Sequence, residues 1–255
     1  MKPLLILACT IGIAAAGEIP VPAPALTPAA ESSAWEFSGA IYAPLMGLEG
    51  DIGVAGLATS VDLSFGDILE ELDGGATVAF EARRDRWSIT GDFIWLKLSA
   101  SAQPTANSYL GFRQEEIIAS LALGYELYGN ERTTLDLLAG GALTSMDVDL
   151  ELFTPRLPVD LRSASGSQEW IDPFVGLRVR HQLSDRWSVW LRGDYGGFGV
   201  SSDEYWQVIA GLAYRMTDHT SLAVAYRIIA VDYQQGSFSY DAEMEGPNLG
   251  LVFRF

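Results

Sequence analysis

Apolar and polar residues alternate along most of the chain after residue 34. A run in which every second residue is apolar predicts a β-strand with one apolar and one polar face. We count ten such runs. The runs cover residues 35–43, 74–84, 87–99, 113–128, 133–151, 168–182, 187–197, 204–216, 221–234 and 242–255.

The connections between these runs alternate between short and long. Four of them are tight turns, at residues 84–86, 129–132, 183–186 and 217–220. An even number of antiparallel strands with short turns on one side and long loops on the other is typical of a transmembrane β-barrel. We therefore predict an all-β protein with a single antiparallel up-and-down transmembrane β-barrel of about ten strands, with eight or twelve as alternatives. The short turns and both termini of the barrel domain then lie on the periplasmic side.

The alternation also assigns the two faces of each strand. The face that we expect to contact lipid carries apolar and aromatic side chains: Val78, Phe80, Ala82, Leu121, Leu123, Tyr125, Leu127, Val175, Leu177, Val179, Val208, Ala210, Leu212, Tyr214, Leu249, Leu251, Phe253 and Phe255. The opposite face carries charges. A soluble sandwich or a lipocalin-like barrel has an apolar interior instead, so this distribution favours the membrane barrel over that alternative.

Aromatic residues gather near the strand ends, where the two interfaces of a bilayer enrich tryptophan and tyrosine. We predict one girdle on the periplasmic side, made of Trp35, Trp87, Trp187, Tyr214 and Phe255. We predict a second girdle on the outer side, made of Tyr42, Trp95, Trp170, Tyr195, Trp206 and Tyr233. The tetrapeptide Asp85-Arg86-Trp87-Ser88 recurs at residues 185–188, which we interpret as the same hairpin chemistry used twice.

The first 34 residues have a different composition. Residues 1–16 contain Lys2 and then an apolar run from Leu4 to Ala16, which predicts a signal peptide that is cleaved near Ala16. Cys9 also fits a lipoprotein pattern, but too few residues precede it, so we expect it to be removed with the signal peptide. Residues 17–34 are rich in proline and alanine and predict a periplasmic linker. Residues 35–255 form the barrel domain.

The charge balance excludes one class of partner. The formal net charge is −17, and it becomes −18 when Lys2 is removed with the signal peptide. Because nucleic-acid binding requires clustered lysine and arginine, we expect no nucleic-acid partner. A hydrophobic content of 49% is high for a soluble acidic protein.

Seven acids and seven arginines fall on the inward faces of the predicted strands. They are Glu36, Glu81, Asp92, Glu126, Asp136, Asp172 and Asp194, with Arg83, Arg178, Arg180, Arg192, Arg215, Arg227 and Arg254. Since isolated buried ions are costly, a balanced set predicts an ion-pair network in the lumen. Because ion-selective pores use rings of charges of one sign, we favour a structural polar core. A charged eyelet or substrate path is the alternative.

The connection 44–73 concentrates negative charge. It contains Glu49, Asp51, Asp62, Asp67, Glu70, Glu71 and Asp73 and no lysine or arginine. We expect a solvated loop, with divalent cations bridging it to anionic surface lipid as the alternative. Residues 61–65 predict a short strand and residues 66–72 a short helix that caps or enters the barrel mouth. If residues 44–65 instead form a membrane hairpin, the count becomes twelve.

The sequence contains little that indicates catalysis. His181 and His219 are the two histidines, and both fall on the periplasmic side of the predicted topology. No metal-binding cluster, phosphate loop or Gly-x-Ser-x-Gly motif occurs. We therefore expect no enzymatic activity, no metal and no cofactor.

The chain resembles the small bacterial outer-membrane β-barrel proteins of the porin, opacity-protein or OmpA-like type. The resemblance covers residues 35–255 and rests on the ten runs, the final strand ending at Phe255, and the segment Val61-Asp62-Leu63-Ser64-Phe65-Gly66-Asp67-Ile68-Leu69. It implies the bacterial outer membrane as location, contact with outer-membrane lipid, and assembly by the barrel-assembly machinery through the terminal strand. We expect a structural or surface-interaction role in the envelope, with a small gated channel as the alternative; the oligomeric state stays open.

Overall fold

The structure is a computed structural model that describes residues 34–54, 57–70, 72–105, 108–153, 163–236 and 238–255. The predicted signal peptide, Cys9 and nearly all of the predicted linker lie outside these residues. The elements are β1 (Glu36–Pro44), β2 (Gly47–Val54), β3 (Leu57–Leu63), α1 (Phe65–Glu70), β4 (Leu72–Arg84), β5 (Trp87–Thr105), β6 (Ser108–Gly129), β7 (Thr133–Phe153), β8 (Ser163–Gln182), β9 (Trp187–Gly196), β10 (Glu204–Arg215), β11 (Thr220–Gln235) and β12 (Phe238–Arg254). No helix among these residues is long and apolar enough to cross a membrane.

Ten of the strands close into a barrel. The order is β1-β4-β5-β6-β7-β8-β9-β10-β11-β12, and all pairings are antiparallel. The first strand closes the barrel by pairing with the last, with Ser38 opposite Arg254 and Pro44 opposite Asn248. Closure leaves no free edge at this level. The predicted ten-stranded up-and-down barrel is therefore confirmed, and the alternatives of eight and twelve are wrong.

The remaining two strands form a hairpin that continues the first barrel strand and pairs with the last one. β2 pairs with β12 in the same register as β1, because Gly47 lies opposite Glu245 just as Pro44 lies opposite Asn248. The Leu45 N–H donates to the Pro247 carbonyl at 2.8 Å across the short break between β1 and β2. β2 thus continues β1 above the barrel, and β3 folds back on β2. The hairpin exists, but it adds no strand to the closed barrel.

The helix α1 follows this hairpin, close to where the sequence predicts one. Ser64 caps its start: the Ser64 N–H and hydroxyl donate to Asp67 Oδ2 at 3.0 and 2.6 Å. These hydrogen bonds lower the pKa of the Asp67 carboxyl. Ile68 packs against the hydrophobic core, while Leu69 is exposed. The helix therefore lies against the β2–β3 hairpin, with Ile68 toward the core.

The two ends of the barrel differ. The four short turns and both barrel termini lie at one end, called the turn end below, and the other end is the loop end. At the turn end the connection Asp85–Arg86 is short enough that Asp85 takes a left-handed φ of 52°. β5 to β8 have 19 to 22 residues, whereas β9 and β10 have 10 and 12. One side of the wall is therefore much taller at the loop end.

The side chains alternate between a packed interior and an apolar exterior. Residues that the sequence assigns to lipid are exposed on the outside, among them Leu121, Val175 and Leu249. Inward side chains are buried, and small residues make room for large ones: a Cβ at Gly211 would collide with the ring of Trp190. The predicted apolar outer face is confirmed for Leu121, Val175 and Leu249, and the interior is where charged and aromatic groups meet.

Candidate functional site in the barrel lumen

The lumen contains most of the charged residues that the sequence assigns to it. Ten of the fourteen are buried in the described structure: Glu81, Arg83, Asp92, Asp136, Asp172, Arg178, Arg180, Arg192, Asp194 and Arg227. Glu126, Arg215 and Arg254 are partly buried near the turn end, and Glu36 is exposed at the start of β1. These groups fall into a lower layer near the turn end and a middle layer above it.

Asp136 is the centre of the lower layer. Its Oδ2 accepts from Arg83 Nη2 at 2.9 Å, from Arg180 Nη2 at 2.9 Å, and from both Nε and Nη2 of Arg178 at 3.1 and 3.0 Å. Asp136 and Arg178 have no exposed surface. The hydrogen bonds from three guanidinium groups to this one oxygen are charge-assisted, which offsets part of the cost of burying the carboxylate.

Glu81 extends this layer across the barrel. Its two oxygens accept from Arg178 Nη1 at 2.7 Å and from Arg180 Nη1 at 2.9 Å. Glu81 lies on β4 and the two arginines lie on β8, four places further around a ring of ten strands. Arg83 joins the same cluster through Glu81 and through Glu126 Oε2, both at 3.2 Å. The pairs therefore bridge the lumen from one wall to nearly the opposite wall.

The middle layer mixes charged and neutral polar groups. The Tyr42 hydroxyl lies 2.9 and 2.7 Å from the two oxygens of Asp92, to which it donates. Arg192 pairs with Asp194 at 2.8 Å, and Gln207 donates to the same carboxylate. Arg227 Nη2 donates to Gln207 Oε1 at 2.5 Å. All of these side chains are buried, so this layer is also filled with protein atoms.

Aromatic side chains close the lumen toward the loop end. The rings of Trp170 and Tyr233 stack with centroids 4.3 Å apart, and they come from β8 and β11, three strands apart. Trp170 Nε1 donates to Asp172 at 3.0 Å, and Asp172 in turn accepts from the N–H and hydroxyl of Ser202 at 2.9 and 2.7 Å. Phe238 contacts Tyr233 edge to face at 5.9 Å. Such aromatic pairs favour specific ring geometries and stabilise the fold by more than the burial of their surface area alone.

Part of the predicted outer aromatic girdle is wrong. Tyr42, Trp170 and Tyr233 are buried in the lumen and do not face lipid. The phase of alternation indicates their side: Trp170 is in phase with Asp172, and Tyr233 with Arg227. Five further inward residues share the phase of the assigned ones but were not predicted, namely Glu116, Trp190, Tyr205, Gln207 and Asn248. In both cases the phase of alternation is the usable signal. For Tyr42, Trp170 and Tyr233 the expected position of aromatic residues at the bilayer interface was preferred to it.

Outside the lumen, the described residues offer few side chains suited to catalysis or metal binding. His181 lies near the turn end of β8, where Nδ1 is 2.8 Å from the Thr133 hydroxyl, and His219 lies in the turn between β10 and β11. No group of three or more histidine, cysteine or acidic side chains in the described ranges is arranged to hold a metal ion. Neither histidine lies beside the buried carboxylates of the middle layer.

The barrel is similar to known structures of outer-membrane proteins. One is the outer membrane protease OmpT from Escherichia coli, with a TM-score of 0.62 and 10% identity over 88% of this chain and 98% of that chain. Two others are more distant in shape. The transport unit of the autotransporter AIDA-I from Escherichia coli has a TM-score of 0.39 and 8% identity over 89% and 92% of the two chains. Neisserial surface protein A has 0.34 and 12% over 86% and 97%.

The sequence comparisons do not narrow the family or the function of the chain further. No protein-family model matches the chain, and no curated protein matches it significantly. The likeness to OmpT at 10% identity shows the fold and no activity. The chain is a ten-stranded antiparallel β-barrel with the fold of small bacterial outer-membrane proteins.

Proposed function

We propose that the protein is a bacterial outer-membrane barrel with a closed lumen and a structural or surface-interaction role in the cell envelope. The outer-membrane location is supported by the barrel fold, by the apolar exterior and by the similarity to OmpT. The cleaved signal peptide at residues 1–16 remains part of the proposal. Contact with outer-membrane lipid and insertion by the barrel-assembly machinery follow from this location.

The bridging of the lumen by side chains is the observation that carries the proposal. Glu81 on β4 contacts Arg178 and Arg180 on β8, and the Trp170–Tyr233 stack crosses the lumen above them. A pore that conducts ions needs a continuous aqueous path lined by groups that bind weakly enough to release the ion. Two successive layers of direct side-chain contacts, one between β4 and β8 and one between β8 and β11, obstruct such a path.

A surface role fits the distribution of exposed charge. On neighbouring strands at the loop end, outward acids lie directly opposite one another: Glu204 opposite Asp232, and Asp232 opposite Asp241. Glu243 lies opposite Glu49 in the next row. Like charges in direct cross-strand positions destabilise a sheet. We infer that this acidic face serves contacts outside the barrel, since the fold itself gains nothing from it.

Conductance in a planar lipid bilayer tests the closed lumen against a small gated channel. We expect the full-length mature protein to give no stable conductance steps. The Arg192→Gln and Asp194→Asn variants should also give none. Lys97→Gln is the matched control, because Lys97 and Glu115 form an exposed pair at 3.9 Å outside the lumen. Stable steps in the wild type whose size or ion selectivity changes with Arg192→Gln or Asp194→Asn, but not with Lys97→Gln, would establish the channel instead.

A further inference from the structure

The four short turns share one construction. Each contains an acid followed by a basic residue, namely Asp85–Arg86, Glu131–Arg132, Asp185–Arg186 and Asp218–His219. The carbonyl oxygen of each basic residue accepts from a backbone N–H of the strand beyond the hairpin, at 2.7 to 2.9 Å; the donors are Glu126, Gln182, Arg215 and Arg254. The four basic side chains therefore sit at equivalent positions around the turn end.

Only two of these turns add an aromatic pair. Trp87 follows Arg86 and lies opposite Tyr125, with ring centroids 4.8 Å apart. Trp187 follows Arg186 and lies opposite Tyr214, also at 4.8 Å. At the turn of Arg132 the corresponding positions hold Thr133 and His181. The repeated tetrapeptide at 85–88 and 185–188 thus marks two copies of one surface feature, and Arg132 provides a natural comparison without it.

Both guanidinium groups are held in place but keep free donors. Arg86 donates from Nε to the Glu126 carbonyl at 3.0 Å and from Nη2 to the Leu127 carbonyl at 3.1 Å, and it lies 5.0 Å over the Tyr125 ring. Arg186 donates from Nη1 to the Tyr214 hydroxyl at 3.1 Å. A guanidinium has five N–H donors, so each of the two retains several for a partner. Both arginines and both tryptophans are exposed.

The surroundings indicate what this partner is. Exposed tryptophan and tyrosine at the edge of an apolar barrel exterior mark the depth of the lipid headgroups. A fixed guanidinium matches the oxygens of a phosphate in a two-pronged geometry. The turn end carries Arg84, Arg86, Arg132 and Arg186 as exposed cations, each beside or near one of the exposed acids Asp85, Glu131 and Asp185. At the loop end, in contrast, rows of acids lie directly opposite one another and repel phosphate.

We propose that Arg86 and Arg186, each with its Trp–Tyr pair, bind the phosphate group of a glycerophospholipid in the periplasmic leaflet. This rests on the membrane location proposed above. The aromatic rings contact the upper part of the acyl chains and the glycerol, and the guanidinium contacts the phosphate. Two such sites, on opposite sides of the barrel at β5–β6 and β9–β10, fix its depth in the bilayer.

Titration of phosphatidylglycerol into the folded protein in neutral detergent, followed by native mass spectrometry, tests this. We expect Arg86→Gln/Arg186→Gln to lower the apparent lipid affinity by about threefold per site, the scale of an exposed charge pair. Arg132→Gln, the matched control, should bind as the wild type does. Equal affinity in the double variant and the control would overturn the proposal, and so would equally tight binding of inorganic phosphate by the wild type.

Insertion into phospholipid vesicles separates this proposal from the one on which it rests. The wild type and both variants should insert and show heat-modifiable gel mobility, since the barrel itself is unchanged. If the wild type does not insert, the membrane location fails. If all three insert and the double variant binds lipid as the control does, only the phosphate sites fail.

Discussion

Removing the Asp136 carboxylate should be among the most damaging single changes to the barrel. Asp136→Ala deletes four hydrogen bonds from three arginines, all to Oδ2. It also leaves Arg83, Arg178 and Arg180 with only two acids, Glu81 and Glu126. One positive charge then remains uncompensated in a region where Arg178 and Arg180 are almost fully buried.

The size of the loss follows from what the arginines keep. Charge-assisted hydrogen bonds contribute about 1.5–3 kcal/mol each, so the four lost bonds together set an upper bound far above the expected loss of stability. Arg178 and Arg180 both keep a contact to Glu81, and Arg83 keeps Glu81 and Glu126. We therefore expect Asp136→Ala to lower the free energy of unfolding by about 3–5 kcal/mol, as for a broken buried ion pair.

Equilibrium unfolding in urea, in detergent micelles or thin bilayers, measures this loss. Tryptophan fluorescence and the heat-modifiable gel mobility report the same transition if unfolding is two-state. Asp149→Ala is the control, because Asp149 lies on the same strand and is exposed; it should change stability by less than about 0.5 kcal/mol. A loss below about 1 kcal/mol for Asp136→Ala would refute the account of the lower layer, since it would mean that the three arginines do not depend on this carboxylate.

Three further predictions concern other parts of the molecule. Gly140→Ala should cost about 1–3 kcal/mol in urea unfolding, because the new Cβ would collide with the Leu121 carbonyl and crowd Ala122, whereas Gly166→Ala, with open space around it, should be nearly neutral. Ser64→Ala should raise the pKa of Asp67 toward its ordinary value in an NMR titration, because it removes the hydroxyl that donates to Oδ2; the capping contribution is present above the unfolded pKa and is lost as the pH falls through the lower folded pKa, so an unchanged titration contradicts the cap. Deleting Phe255, whose N–H donates to the Phe37 carbonyl at 3.0 Å, should slow insertion by the barrel-assembly machinery in a reconstituted assay more than Phe253→Ala does.

The strands could be predicted because alternation persists wherever one face meets lipid and the other meets the lumen. The full lengths of β5 and β8 could not, since both continue beyond the apolar exterior into segments rich in serine and alanine, where the alternation fades, whereas β7 keeps alternating to its end. The hairpin of β2 and β3 was visible as an alternative, but the sequence does not indicate that β2 keeps the register of β1 along β12. That register depends on the long final strand, which is distant in sequence.

The lumen could be predicted as a set of residues but not as a set of pairs. The phase of alternation places Glu81 and Arg178 inside, yet it does not tell which of the seven arginines each acid contacts. They are 97 residues apart and meet only because β4 and β8 face each other across the barrel. The inward aromatics were misassigned for a related reason, because tryptophan and tyrosine near strand ends fit an interface as well as a plug.

A double-mutant cycle between Glu81 and Arg178 tests most directly whether the lumen is closed by contacts between opposite walls. Glu81→Ala, Arg178→Ala and the double variant are compared with the wild type by urea unfolding under identical conditions. Because the side chains meet at 2.7 Å, the two changes together should cost less than their sum by about 2 kcal/mol or more. Costs that add within about 0.5 kcal/mol, as for distant and independent residues, would contradict a lumen bridged from wall to wall.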